Sequence, residues 1–195
     1  LAQKENLQNW VLIPSNDHAV YTISKNKDDL KKYFKIITPE YDIIRKVYDK
    51  SELAAIAKKN LIPIPQTVCF KKVDEEIPSW LKFPVITKGR FGLSFYKKMG
   101  KKAFLSNTRI QLKAHLSQIH QKYDISQTIT QELIPPENNN KTISFAAFSI
   151  NGEIKTYWMG VKLREHPLNF GTATFAKSIY IQDCYSLSVC LLKAL

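Results

Sequence analysis

Thr128 to Pro136, TITQELIPP, reads as a strand that ends in a two-proline hinge. Thr128, Ile129 and Thr130 carry β-branched side chains suited to a pleated backbone, and Pro135 and Pro136 cannot donate to a ladder and so stop it. Gln131 and Glu132 therefore fall just before a bend. A backbone edge left unpaired there could read a flat heterocycle through its N–H and C=O groups, as a sheet edge reads a peptide. An ordinary strand end is the competing reading of the same nine residues.

The segments before it form a small α+β unit. Phe83 to Lys88, FPVITK, reads as a strand, and Lys101 to Leu105 as the strand that returns from it. The Gly- and Lys-rich connection around Gly89, Gly92 and Gly100 is then the tip of a hairpin. Asn107 or Thr108 caps a helix in which Leu112, Leu116, Ile119 and Tyr123 recur at helical spacing. Further upstream, Asp49-Lys50-Ser51-Glu52 has the capping-box spacing before a helix running to Asn60, and Gln66 to Phe70 is a short strand behind Pro63 and Pro65. Asn9–Pro14 and Lys35–Thr38 read as strands joined through a helix near Asp28 to Phe34, the last β-α-β of a sheet whose earlier strands would precede Leu1. Downstream of the hinge, Thr142 to Ile150 pairs with Glu153 to Leu163 across Asn151-Gly152, a strong hairpin signal. Arg164 to Phe175 reads as a loop, and Asp183 caps a final helix carrying Leu187, Leu191 and Leu192.

Composition narrows the function. In 195 residues, 44% hydrophobic and 24% charged, there is enough apolar material for one or two cores. No apolar run approaches the roughly 20 residues that span a bilayer, and the opening residues do not read as a secretory signal. Cys69, Cys184 and Cys190 are far apart, without CxxC spacing or matched histidines, which suits reduced thiols and a cytoplasmic location better than a disulfide or zinc framework. The net charge of +12 leaves nucleic acid, anionic lipid and phosphorylated small molecules open as partners. Much of it is dispersed in lysine pairs; the local exception is YKKMGKKAF, residues 96–104, with Lys97, Lys98, Lys101 and Lys102 around Gly100. Aromatics there form no periodic stacking platform, so nucleic acid is the weaker partner. GxxxxGK[ST] and GxGxxG are absent, but a Gly-containing turn with nearby lysines can cradle an anion through successive N–H groups.

The capped helix with Lys50, IPIPQT, FPVITK, the Gly/Lys segment, a helix, TQELIPP, a hairpin and KLREHPLNFGTAT follow one another in an order that resembles the ATP-grasp superfamily. Within it the chain looks like the predicted carboxylate-amine ligases with a "RKLRxxPxxFG" segment. The resemblance covers roughly Asp49 to Leu195, with the preceding residues similar to the end of a Rossmann-like domain. It implies an α/β to α+β fold in three parts: residues 1–48 from the pre-ATP-grasp domain, 49–133 with the small nucleotide-binding subdomain, and 134–195 opening the C-terminal subdomain.

The same resemblance implies the site. Lys50 and Lys88 would lie near the nucleotide phosphates, residues 89–100 would form the phosphate-covering loop, and Lys101 or Lys102 would supply the lysine on the strand after it. Gln131 and Glu132 would flank adenine, with the Leu133 and Ile134 backbone at the base edge and Glu137, or a neighbour, at the ribose. Lys162 and Arg164 would face the γ-phosphate and an acyl phosphate, with Gly171 in the loop that follows. ATP and Mg²⁺ are the implied cofactors, and a small carboxylate and an amine the implied substrates; a homodimer is left open. Phosphoryl transfer to the carboxylate would create a good leaving group, its charge stabilised by positioned cations. Three positions depart from the pattern: Gly89 replaces a proline, Val161 a basic residue and Pro136 a glycine. The family's metal ligands would lie beyond Leu195, so the expectation is a fragment that cannot catalyse alone. A non-catalytic nucleotide sensor and a basic nucleic-acid-binding module are the alternatives.

Overall fold

The computed structural model describes residues 1–134, 140–168 and 171–195. They divide into two compact units, Leu1–Leu53 and Ala54–Leu195. In the first, β1 (Val11–Leu12) and β2 (Lys35–Ile36) pair in parallel, with α1 (Asp17–Lys25) and α2 (Lys27–Leu30) between them. Asn16 caps the start of α1: its Oδ1 accepts the Ala19 N–H at 2.9 Å and satisfies one of the helix's orphan donors. α3 (Tyr41–Tyr48) follows, and Tyr21 on α1 stacks on Tyr48 and shares a hydrogen bond with the Tyr41 hydroxyl at 2.8 Å.

α4 (Lys50–Lys59) begins where the capping residues placed it. Asp49 Oδ1 accepts from the Ser51 N–H at 2.9 Å and from its hydroxyl at 2.8 Å. Glu52, expected as the second member of the capping box, pairs with the Arg45 guanidinium, 3.3 Å away.

The second unit holds two sheets among its described residues. β3 (Thr67–Val68), β4 (Val85–Gly89), β5 (Phe104–Ser106) and β6 (Thr128–Glu132) lie in the order β3-β6-β4-β5, every pairing antiparallel. Its core joins Val85 and Phe104 of the sheet to Phe70, Leu81, Phe95, Leu112, Leu116 and Ile119. Leu112, Leu116 and Ile119 project from α6 (Arg109–His120), which starts at Thr108 with its Oγ1 accepting the Gln111 N–H at 3.2 Å. Each such buried side chain contributes roughly 1.5–3 kcal/mol, so this stripe fixes the helix on the sheet.

The connection from β4 to β5 differs from the expected loop. Gly92–Met99 is a helix, α5, which ends at Gly100 in the left-handed conformation, φ 68°, with the Gly100 N–H donating to Tyr96 O at 2.8 Å. Phe95 and Met99 stand four residues apart and face the core, so their burial holds as a helix what glycines and lysines suggested was a loop. The returning strand, expected from Lys101, starts only at Phe104.

The other sheet is β7 (Ile143–Ile150), β8 (Glu153–His166) and β9 (Thr172–Ser178), in that order. Asn151 and Gly152, at φ 52° and 75°, make the tight turn expected between its first two strands. The supposed loop over residues 164–175 is largely strand: β8 runs on to His166, and β9 pairs back along it. α7 (Gln182–Ala194) closes the unit, starting after Ile181, so Asp183 lies in its first turn and is not its cap.

Candidate functional site

The register of β4 against β6 sorts the site residues by face. Thr87 stands opposite Thr130, and their hydroxyls meet at 2.9 Å, fully buried on the core side. Lys88 stands opposite Ile129 and Ile86 opposite Gln131, so Lys88 and Gln131 share the other face. Thr67 joins them from β3, its hydroxyl accepting from Gln131 Nε2 at 2.9 Å and donating to Pro65 O at 2.7 Å. Lys88 and Gln131 are both half-buried. Glu132 stands opposite Val85 on the core-side face, so the pair expected together at adenine is split between the two faces.

Over residues 130–132 β6 is flanked on both sides, so the backbone before the bend is not an unpaired edge. Pairing ends one residue later, in an unusual way. Glu132 N–H donates to Gln66 O at 2.9 Å, but the Gln66 N–H donates to the Glu132 carboxylate, Oε1 at 2.8 Å. Leu133 N–H donates to Pro84 O at 2.9 Å, and Pro84 has no N–H to return. The main-chain carbonyls of Glu132 and Leu133 thus meet no backbone donor among the described residues. Ile134 is 60% exposed, and Glu137 lies outside the described residues.

The remaining cations lie on other elements. Lys50 opens α4 in the first unit; it is half-buried, and that burial lowers its pKa, opposed by the charges of Asp17 and Asp49. Lys101 and Lys102 are exposed after α5, with the Lys101 ammonium 5.4 Å from the centre of the Phe104 ring. Lys162 is half-buried in an ion pair with Glu165, while Arg164 is exposed. Lys162 and Arg164 stand opposite Ala176 and Phe175, which are consecutive on β9, so a register slip at Leu163 turns the basic pair to opposite faces. Among the described residues, no three of His, Cys, Asp and Glu come together as a metal-holding group.

Gln66, Thr67, Pro84 and Glu165 did not stand out in the sequence. Pro84 carried a readable signal, since a proline opening a strand leaves the facing carbonyl without a donor. The Gln66 contact carried none, because it joins residues 66 apart.

This mixed helix-and-sheet arrangement is the fold of the ATP-grasp ligases. It matches L-amino acid ligase from Bacillus licheniformis with a TM-score of 0.58 at 11% identity, over 92% of this chain and 46% of that one. It matches carboxyaminoimidazole ribonucleotide synthase from Aspergillus clavatus, a structure complexed with ATP, with a TM-score of 0.53 at 12% identity, over 88% and 44%. In sequence, D-aspartate ligase from Enterococcus faecium (strain Aus0004) is 23% identical over 168 residues, covering 81% of this chain. The chain spans 39% of the length of that curated relative. No family model matches the chain. No helix among the described residues is long and apolar enough to cross a membrane.

Proposed function

We propose that this chain carries the nucleotide-binding part of an ATP-dependent carboxylate-amine ligase. The observation that carries the reading is the β4–β6 pair: a half-buried lysine, Lys88, shares a sheet face with Gln131, and the strand ends in main-chain carbonyls released from the ladder. An extended backbone whose Glu132 carbonyl and Ile134 N–H meet no backbone partner among the described residues offers an acceptor and a donor along one edge. Adenine presents the complement, a donor at its exocyclic amine and an acceptor at N1. A lysine on the adjoining strand then supplies a point charge for the phosphates. The ligase fold, and a neighbour of that fold in complex with ATP, support the same reading.

In the full reaction, a carboxylate oxygen attacks the γ-phosphorus, the bond to the β–γ bridging oxygen breaks, and ADP leaves. An amine then attacks the acyl carbon, losing a proton, and inorganic phosphate leaves. Lys162 and Arg164 are the cations we assign to the transferring phosphoryl group, with Lys101 or Lys102 as a further phosphate contact. The three segments 1–48, 49–133 and 134–195 then serve as the end of the preceding domain, the nucleotide-binding subdomain and the start of the C-terminal subdomain. No step is assigned to magnesium.

ATP titration by calorimetry against the wild type and Lys88→Ala tests the reading. Loss of a phosphate-facing cation is expected to weaken binding about tenfold or more, in line with a charge-assisted hydrogen bond. Equal affinity in the two proteins would remove Lys88 from the site.

A further inference from the structure

We propose that Glu132 is a positioning residue: its carboxylate occupies the Gln66 N–H, which keeps the Glu132 main-chain carbonyl available to accept from the exocyclic amine of a purine base. The inference rests on the nucleotide-binding reading above and adds to it a device that sets which base is taken.

In an antiparallel ladder, two residues of a hydrogen-bonded pair exchange both bonds, each N–H donating to the other's C=O. Gln66 and Glu132 make the first of these, Glu132 N–H to Gln66 O at 2.9 Å. The second is diverted, since the Gln66 N–H reaches Glu132 Oε1 at 2.8 Å instead of the Glu132 carbonyl. A carboxylate is the stronger acceptor, so the side chain outcompetes its own backbone for this donor. One residue on, the Leu133 carbonyl is released by other means, because Pro84 opposite has no N–H. Leu133 faces the β4 edge, whereas Glu132 and Ile134 face the β3 edge. On that edge the Glu132 C=O and the Ile134 N–H form an acceptor–donor pair that meets no backbone partner among the described residues. Adenine, with its amine and N1, matches that pair; guanine, with O6 and N1–H, presents a donor and an acceptor in the reverse order. Without the carboxylate, Gln66 N–H would return to the carbonyl and the acceptor would be lost.

The experiment is ATP and GTP titration of the full chain by calorimetry, with thermal unfolding of each variant alongside. Glu132→Ala lets the ladder close, and its ATP affinity is expected to fall about tenfold while GTP binding stays as weak as in the wild type. Glu132→Gln keeps an acceptor for Gln66 N–H and should bind ATP within about twofold of the wild type. The double variant Glu132→Ala/Gln66→Pro has no N–H at residue 66 to claim the carbonyl, and should recover most of the ATP affinity lost in Glu132→Ala. A merely structural role would give losses that follow the unfolding temperature and no recovery in the double variant. Wild-type ATP affinity in Glu132→Ala overturns the inference alone, as does a loss in Glu132→Gln equal to that in Glu132→Ala, which decides the matter even if Gln66→Pro unfolds the strand end. Failure of the wild type to bind ATP overturns the underlying reading and the inference with it.

Discussion

Phe95 fills the space that a side chain on Gly89 would need: a Cβ built on Gly89 would stand 2.3 Å from the Phe95 Cβ and 2.8 Å from its Cγ. The first turn of α5 is thereby seated directly on the end of β4, next to Lys88. This gives a physical reason for glycine at the position after that lysine. Gly89→Ala is expected to push α5 off the strand and cost about 1–3 kcal/mol, as overpacking of a close contact does. Chemical denaturation measures it; a variant as stable as the wild type would mean that α5 yields without cost.

The buried Thr87–Thr130 pair predicts a non-additive result. Thr87→Val alone leaves the Thr130 hydroxyl buried without its 2.9 Å partner and should cost about 1–3 kcal/mol. Thr87→Val with Thr130→Val removes both polar groups and should lie closer to the wild type than the sum of the single changes. The double-mutant cycle in urea gives the coupling directly. Additive losses would show that the hydroxyls do not depend on one another.

His115 gives the second unit a pH dependence. Its ring is hydrogen-bonded to the buried Ser106 hydroxyl at 2.8 Å and lies 5.2 Å from the Phe104 ring centre. Burial, and then the charge of Lys101, lower its pKa below the ordinary value near 6.5. The unfolded chain therefore takes up this proton first as pH falls. The contribution is complete above about pH 6.5 and is lost as pH drops through the folded-state value. Denaturation midpoints from pH 7.5 to 5 should decline in the wild type and decline less in His115→Asn. Parallel curves would show that His115 titrates as it does in the unfolded chain.

Two glycines should respond differently to alanine. At Gly171 a Cβ would stand 2.0 Å from Pro167 O and 2.5 Å from the His166 carbonyl carbon, so the backbone at these residues has to move. At Gly100 nothing lies within 4 Å, and only the φ of 68° opposes a side chain. Gly100→Ala should therefore cost about 1 kcal/mol, and Gly171→Ala more. Amide chemical shifts should change along β8 and β9 in Gly171→Ala but stay local in Gly100→Ala. The reverse ranking of stabilities would refute the packing argument.

The sequence by itself determined those elements whose signals are local. Asn151-Gly152 named the β7–β8 turn, the i, i+4 stripe of Leu112 and Leu116 named α6, Asp49 named the start of α4, and β-branched residues before two prolines named β6. The order of these segments was enough to indicate the ligase fold. Tertiary structure decided what depends on partners far along the chain. Whether residues 92–99 are loop or helix turned on Phe95 finding a pocket against Gly89, and β9 appeared only because β8 offered it an edge. Which face Gln131 takes and which Glu132 takes follows from a register fixed against strands tens of residues away, as do their bonds to Thr67 and Gln66, which are 64 and 66 residues removed. Such contacts leave no periodic trace in either segment alone, because each segment's pattern records which residues seek burial and not which strand will cover them.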